Sequence, residues 1–179
     1  MGIIGYGDIG HACARLGAAY GMKITAVRRR PEPDQLCDVV YPSDTASLNR
    51  VFQECDYIVC AAPLTAETKG MIGKEQFDNA KPGAVFINVG RGPIVDEEAL
   101  IAALNDGRLK GAGLDVFAVE PLPESSPLWE MDNVLLSPHN MDKTATFMHE
   151  STQFFIQENL PRFVRDQELL NPVTPSAGY

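Results

Sequence analysis

A parallel β-sheet with helices wound on both faces is the fold this sequence predicts, and three observations carry that reading. A short apolar strand, Ile3-Ile4, runs directly into Gly5, Gly7 and Gly10, spaced G-x-G-x-x-G, and then into helix-forming residues from His11 to Tyr20. Two later runs, Tyr57–Ala62 (YIVCAA) and Ala84–Val89 (AVFINV), are apolar nearly throughout, as strands buried on both faces must be. Between such runs lie stretches with apolar residues at helical spacing, and strands alternating with helices build a doubly wound α/β sheet.

Each element follows from local chemistry. Gly5 permits the tight turn out of the first strand, Gly7 leaves the backbone bare, and Gly10 lets the helix lie close to the sheet. Lys23–Val27 reads as the second strand, after a turn at Gly21, and Asp38–Tyr41 as a short third. Thr45–Glu54 carries Leu48, Val51 and Phe52 on one helical face. Pro63 ends the strand 57–62, and Gly73–Ala80 reads as a short helix. Val95–Asn105 is an amphipathic helix that Gly107 suits as a stop. Gly111–Val116 and Val134–Ser137 are the last strands, and the Pro- and Ser-rich stretch Val119–Trp129 reads as ordered but irregular. Thr144–Val164 reads as one long helix with Phe147, Phe154, Phe155, Leu160 and Phe163 as its apolar members. These five cannot share one face, so some are expected to stay exposed and to favour self-association as a homodimer. The tail Asp166–Tyr179 reads as partly disordered. The expected organisation is a domain over 1–143, followed by a helix and tail over 144–179.

Composition narrows the function. At 179 residues the chain suits one domain with a sizeable core and an appendage. A formal net charge of −9 argues against nucleic acid or an anionic membrane as partner, and says nothing against a small anionic substrate. No apolar run reaches membrane-spanning length, and no leader pattern opens the chain. Cys13, Cys37, Cys55 and Cys60 lack metal-ligand spacing, so no metal site is expected; they read as reduced packing residues, which points to the cytoplasm.

Strand, glycine turn and helix together form a dinucleotide-binding fingerprint, with unpaired helix N–H groups and a positive dipole end facing the phosphates. An ordinary Gly-rich turn is the competing reading, and the flanking strand and helix weigh against it. Contacts to the cofactor then fall on Gly5, Tyr6, Gly7, Asp8, Ile9 and Gly10. Arg28-Arg29-Arg30 stands where NAD binders place an acid for the ribose hydroxyls, and an arginine there accommodates a 2′-phosphate. Arg28 and Arg29 therefore favour NADP over NAD, with a solvated basic turn as the alternative. Glu32 and Asp34, past Pro31, look badly placed for the ribose.

Three charged residues each follow a predicted strand: Arg91 in Asn88-Val-Gly-Arg91-Gly, Glu120 in Asp115-Val-Phe-Ala-Val-Glu120, and His139 in Ser137-Pro-His139-Asn140. The carboxyl edge of an open α/β sheet is its ligand edge. A guanidinium there can grip a carboxylate with two parallel bonds. A carboxylate beside an imidazole raises its pKa, so the imidazole can hand over a proton near neutrality. Singly these are ordinary surface residues; together, beside a dinucleotide fingerprint, they outline a catalytic set of Arg91, Glu120 and His139. His11 and His149 read as structural.

The segments GIIGYGDIG, AAPLTAETKGMI, INVGRGPIVDEEAL, GLDVFAVEPLP and SPHN, in that order, resemble the nucleotide-binding domain of the D-isomer-specific 2-hydroxyacid dehydrogenases. GYGDIG alone is also similar to the glycine loop of adenosylhomocysteine hydrolase, but the later motifs do not fit that enzyme. The resemblance implies a Rossmann-like NAD(P) domain and hydride transfer between NAD(P)H and a small 2-oxo or D-2-hydroxy acid. It implies that Arg91 binds the substrate carboxylate and carbonyl oxygen, that His139 is the acid–base group, and that Glu120 orients His139. It places Pro63 and Thr68 along the cofactor, Val89 and Gly90 beside the nicotinamide ring, and Asp115 at its carboxamide. Arg28 departs from the usual ribose-binding Asp, Asp8 brings a negative charge near the pyrophosphate, and Asn140-Met-Asp-Lys departs from the small residues common after the histidine. Members of the family also have a second domain built largely from the segment before the glycine loop, which this sequence is expected to lack. A cofactor-binding module without turnover is therefore the alternative to an enzyme.

Overall fold

A computed structural model of the chain describes residues 1–141 and 143–173. They fall into two compact units that divide between Pro138 and His139. The first unit is built on a seven-stranded sheet: β1 (Gly2–Ile4), β2 (Thr25–Arg28), β3 (Val39–Pro42), β4 (Tyr57–Cys60), β5 (Ala84–Asn88), β6 (Leu109–Leu114) and β7 (Val134–Leu136). The strand order is β3-β2-β1-β4-β5-β6-β7, and every neighbouring pair is parallel. Four helices accompany it: α1 (Asp8–Ala19), α2 (Thr45–Glu54), α3 (Lys74–Asp78) and α4 (Glu97–Asn105).

Alternation along the strands divides the core. Ile4 and Val27 belong to the larger cluster, with α2, α3 and α4, whereas Ile3 and Ala26 face the smaller one with Ala14 of α1, Ile24 and Tyr6. The larger core centres on Phe52, Phe77 and Phe86, whose ring centroids lie 5.6, 6.1 and 5.5 Å apart. Phe77 meets the other two rings edge-on and Phe52 stacks on Phe86, and such ring pairs add to the burial of large apolar surface. Helix starts are fixed by side chains: Asp44 accepts the Ser47 N–H at 2.8 Å, and Asp96 accepts the Ala99 N–H at 3.1 Å. Asp96→Ala should destabilise the chain by about 1 kcal/mol, read as a lower urea midpoint with an unchanged slope.

Several boundaries differ from expectation for identifiable reasons. α1 begins at Asp8 rather than His11, because the His11 N–H already bonds to the Gly7 carbonyl at 2.8 Å. Asp8 thus sits in the first turn, where a carboxylate meets the positive end of the dipole. β2 starts at Thr25 and includes Arg28, whose partner is Pro42 on β3. β6 starts at Leu109, two residues ahead of Gly111, where a register irregularity between Ala84 and Val85 accommodates it. A short 3-10 turn at Gly92–Ile94 delays α4, and another, Pro127–Glu130, occupies the end of the irregular loop.

The second unit holds the largest correction. The expected single helix is α5 (Phe147–Phe154), a π-helical stretch (Phe155–Asn159) and α6 (Leu160–Val164). Pro161 has no N–H to continue the α-helical ladder, and the Leu160 N–H instead reaches the Phe155 carbonyl five residues back. None of the five expected apolar residues in this unit is buried. The end of the tail falls outside the described residues. No described helix is long and apolar enough to cross a membrane.

Candidate functional site

The strand order puts the switch of winding direction at β1, with β2 and β3 on one side and β4 to β7 on the other. A crevice outside the carboxyl ends of the strands opens at such a point. The sequence-predicted residues of the first unit lie there, just past β1 (Gly5 to Gly10), at the end of β2 (Arg28, Arg29), past β4 (Pro63, Thr68), past β5 (Val89, Gly90, Arg91) and past β6 (Asp115, Glu120). His139 is the first residue of the second unit.

The glycine loop is shaped by contact with the residues just past β4. Gly5 has φ +92°, and a Cβ there would lie 2.4 Å from the Ala62 N, so both conformation and space demand glycine. A Cβ on Gly10 would come 2.3 Å from the Gly5 carbonyl oxygen, which explains the close seat of α1. Nothing lies within 4 Å of a Cβ on Gly7. The loop therefore presents a bare backbone and the start of a helix to open space, and a pyrophosphate fits that cradle. The Tyr6 side chain turns inward and is buried. Its hydroxyl donates to Asp34 Oδ1 at 3.0 Å, and the Leu36 N–H donates to the same oxygen at 2.9 Å. The Leu36 N–H chiefly holds the Asp34 carboxyl below its usual range, with Tyr6, His11 and Arg28 adding to it against the opposing desolvation. His11, expected to be structural, has Nε2 3.9 Å from Asp34 Oδ2.

The loop past β4 closes on itself. Thr68 Oγ1 donates to the Pro63 carbonyl at 2.6 Å and accepts the Thr65 N–H at 2.8 Å. The Gly70 N–H reaches the Pro93 carbonyl at 2.9 Å, tying this loop to the turn that follows Arg91.

Past β5, the buried Asn88 organises the next three residues. Its Oδ1 accepts the Gly90 N–H at 3.1 Å, and its Nδ2 donates to the Arg91 carbonyl at 3.4 Å. Arg91 Nη1 donates to the Gly90 carbonyl at 2.7 Å, and the residue remains exposed at the sheet edge. The Arg91 and Glu120 loops are locked together. Gly92 presses on the backbone of Phe117 and Ala118: an added Cβ would stand 1.7 Å from the Phe117 oxygen. Glu120 Oε1 accepts the Phe117 N–H at 3.0 Å, and Glu97 Oε2 accepts the Ala118 N–H at 3.0 Å. The Asp115 N–H reaches the Asn88 carbonyl at 3.1 Å, and its buried carboxylate accepts the Ser137 hydroxyl. In the second unit, His139 has φ 50°, a left-handed conformation uncommon outside glycine.

Asn88, Gly92, Glu97 and Ser137 hold this edge in shape without having been singled out as site residues. Asn88 carried a signal, since a polar side chain closing an apolar strand needs internal partners. Cys60 lies deep in the sheet, fully buried, and that burial pushes its thiol up to about 12, as suits a packing residue.

Residues 1–140 match the family model described as D-isomer specific 2-hydroxyacid dehydrogenase, NAD binding domain. The chain belongs to this family. Among curated relatives, it is 43% identical over 139 residues to glyoxylate/hydroxypyruvate reductase B of Yersinia enterocolitica, covering 78% of this chain and 42% of that protein. It is 46% identical over 142 residues to the reductase B of an Enterobacter species, with 78% and 43% coverage. The chain thus spans less than half the length of these two reductases. Among solved structures, a D-isomer specific 2-hydroxyacid dehydrogenase from Xanthobacter autotrophicus, in complex with NADPH and MES, superposes with a TM-score of 0.90 at 40% identity, covering 100% of this chain and 72% of that one. An NADPH-dependent glyoxylate/hydroxypyruvate reductase from Sinorhizobium meliloti, in complex with NADP and sulfate, gives a TM-score of 0.83 at 34% identity, with 99% and 56% coverage. The family membership and the parallel sheet are as the sequence motifs predict.

Proposed function

We propose that the chain supplies the nucleotide half of an NADP-preferring reductase of small 2-oxo acids, with residues 1–143 as its cofactor domain. The observation that carries this reading is the C-terminal sheet edge, where a bare glycine cradle, an arginine-bearing strand end and the fastened Arg91 and Glu120 loops follow one another. The cofactor, when bound, supplies the hydride that reaches the carbonyl carbon. Gly5 to Gly10 would receive the pyrophosphate, Pro63 and Thr68 would line the cofactor, and Val89, Gly90 and Asp115 would flank the nicotinamide. The Arg91 guanidinium would hold the substrate carboxylate and polarise its carbonyl oxygen. His139 would give that oxygen a proton, and Glu120 would serve as the group that orients it. The strained His139 backbone supports a functional assignment, since such conformations gather at sites. The relatives' names support glyoxylate and hydroxypyruvate as the substrate class. Self-association as a homodimer and a cytoplasmic setting belong to the same proposal; the exposed Phe155 and Phe163 support the former.

The cofactor reading is tested by titrating NADPH and NADH by fluorescence. NADPH should bind more tightly, because charge-assisted bonds to a 2′-phosphate contribute on the order of 1.5–3 kcal/mol. Arg28→Ala with Arg29→Ala should remove the preference. Equal affinities for the two nucleotides would count against it.

A further inference from the structure

Three arginines lead from the end of β2, Arg28, into the loop before β3, Arg29 and Arg30, and one contact fastens that loop to the glycine loop. The Tyr6 hydroxyl, rising between Gly5 and Gly7, meets Asp34 Oδ1 at 3.0 Å. The same carboxylate closes its own turn through the Leu36 N–H at 2.9 Å, and the Cys37 N–H bonds to the Asp34 carbonyl at 3.1 Å. Asp34 Oδ2 lies 3.9 Å from His11 Nε2, and the His11 ring packs edge-on against Tyr6 with centroids 5.7 Å apart. The Cys37 thiol borders the Tyr6 hydroxyl as well. At its other end the loop is fixed where Arg28 pairs with Pro42. Only Arg29 to Pro33 lie between these anchors, and Pro31 and Pro33 restrict that span further.

We infer that the Tyr6–Asp34 contact is a clasp that sets cofactor selectivity, with Asp34 as a positioning residue that touches neither nucleotide. The inference rests on the proposal above that this edge binds NADP. A loop held at both ends presents its guanidinium groups already ordered, so less freedom is lost when a phosphate arrives. NADH has no 2′-phosphate and gains nothing from that order. The clasp therefore acts on the ratio of the two affinities, which a general loss of stability would not move.

The sign of the effect separates the clasp from simple charge. Asp34→Ala removes the acceptor together with a negative charge. Asp34→Asn removes the charge and keeps an oxygen for the Tyr6 hydroxyl and the Leu36 N–H. If the carboxylate mattered only by repelling phosphate, both variants would favour NADPH. If it acts as a clasp, Asp34→Ala weakens the preference and Asp34→Asn preserves or strengthens it.

The experiment is titration of the full chain with NADPH and NADH, with circular dichroism to verify folding. Asp34→Ala and Tyr6→Phe should each lower the NADPH-to-NADH affinity ratio about three- to ten-fold, the size of one lost hydrogen bond. Asp34→Asn should hold the wild-type ratio or exceed it. A ratio unmoved by Tyr6→Phe, or raised by both Asp34 variants, overturns the clasp. Should Asp34→Ala fail to fold, Tyr6→Phe and Asp34→Asn decide the matter. Binding of both nucleotides by the wild type with an unmoved ratio in the variants refutes the clasp alone, whereas binding of neither refutes the cofactor reading on which it stands.

Discussion

A polypeptide of these 179 residues should bind NADPH and yet reduce glyoxylate or hydroxypyruvate at least about 10³-fold more slowly than the same residues joined to the remainder of a relative. Fixing the reacting atoms in near-attack geometry can contribute roughly 7–11 kcal/mol. Losing even about 4 kcal/mol of that term is a thousand-fold in rate. The residues that would grip the nucleotide come from this chain, whereas a substrate resting on Arg91 at an exposed sheet edge would be open to water. Water screens the guanidinium and lets the substrate tumble. A direct comparison uses NADPH oxidation by the 179 residues and by a fusion carrying the portion of the Yersinia enterocolitica reductase that lies outside the match. Within the fusion, His139→Ala should lower the rate by about 10²–10⁴ and leave NADPH affinity nearly as it was. Turnover at about 1–10³ per second by the 179 residues alone would show that no covering wall is needed.

Gly92→Ala should do comparable damage from a position that touches no ligand. The new methyl carbon would stand 1.7 Å from the Phe117 oxygen, 1.9 Å from its carbonyl carbon and 2.6 Å from the Ala118 nitrogen, all of them backbone atoms that no rotamer change can move. One of the two loops must give way. Overpacking of this kind costs about 1–3 kcal/mol, and more where backbone must shift. The loops that would part are those bearing Arg91 and Glu120, and a displacement of about 1 Å can cost about a hundred-fold in rate. Both losses should therefore appear together, as a lowered denaturation midpoint and a lowered kcat in the fusion. Near-normal values of both would mean that the two loops are not rigidly coupled.

How far the sequence carries such arguments depends on whether a feature is local. The apolar runs YIVCAA and AVFINV announce buried parallel strands because a strand covered on both faces cannot alternate, and both form there. The bounds of α2 are the expected ones because Asp44 caps it and the apolar face repeats cleanly. The positions of Arg91, Glu120 and His139 after strands were likewise readable from order alone. The packing of Gly92 on Phe117 joins segments distant in sequence, and nothing beside Gly92 signals it. Asp34 looked misplaced for a ribose; the buried Tyr6 that engages it sits in the glycine loop, and no local rule links the two. The π-helical turn was missed although Pro161 marks it, because the apolar spacing of the segment conceals the break in the ladder.

The short strand β1 has a kinetic meaning as well. Gly2–Ile4 is bonded to Thr25–Val27 on one side and to Ile58–Cys60 on the other, so three residues form the seam between the two halves of the sheet. Opening along that seam is a sub-global event, and it parts the glycine loop from either the arginine loop or the end of β4. A dinucleotide lying across it grips both halves at once. Its binding free energy then acts against that one opening, by mass action on the closed form. Amide hydrogens of β1 and its two neighbours should consequently exchange more slowly as the nucleotide concentration rises, while those at the far edge strand β7 keep their own pace.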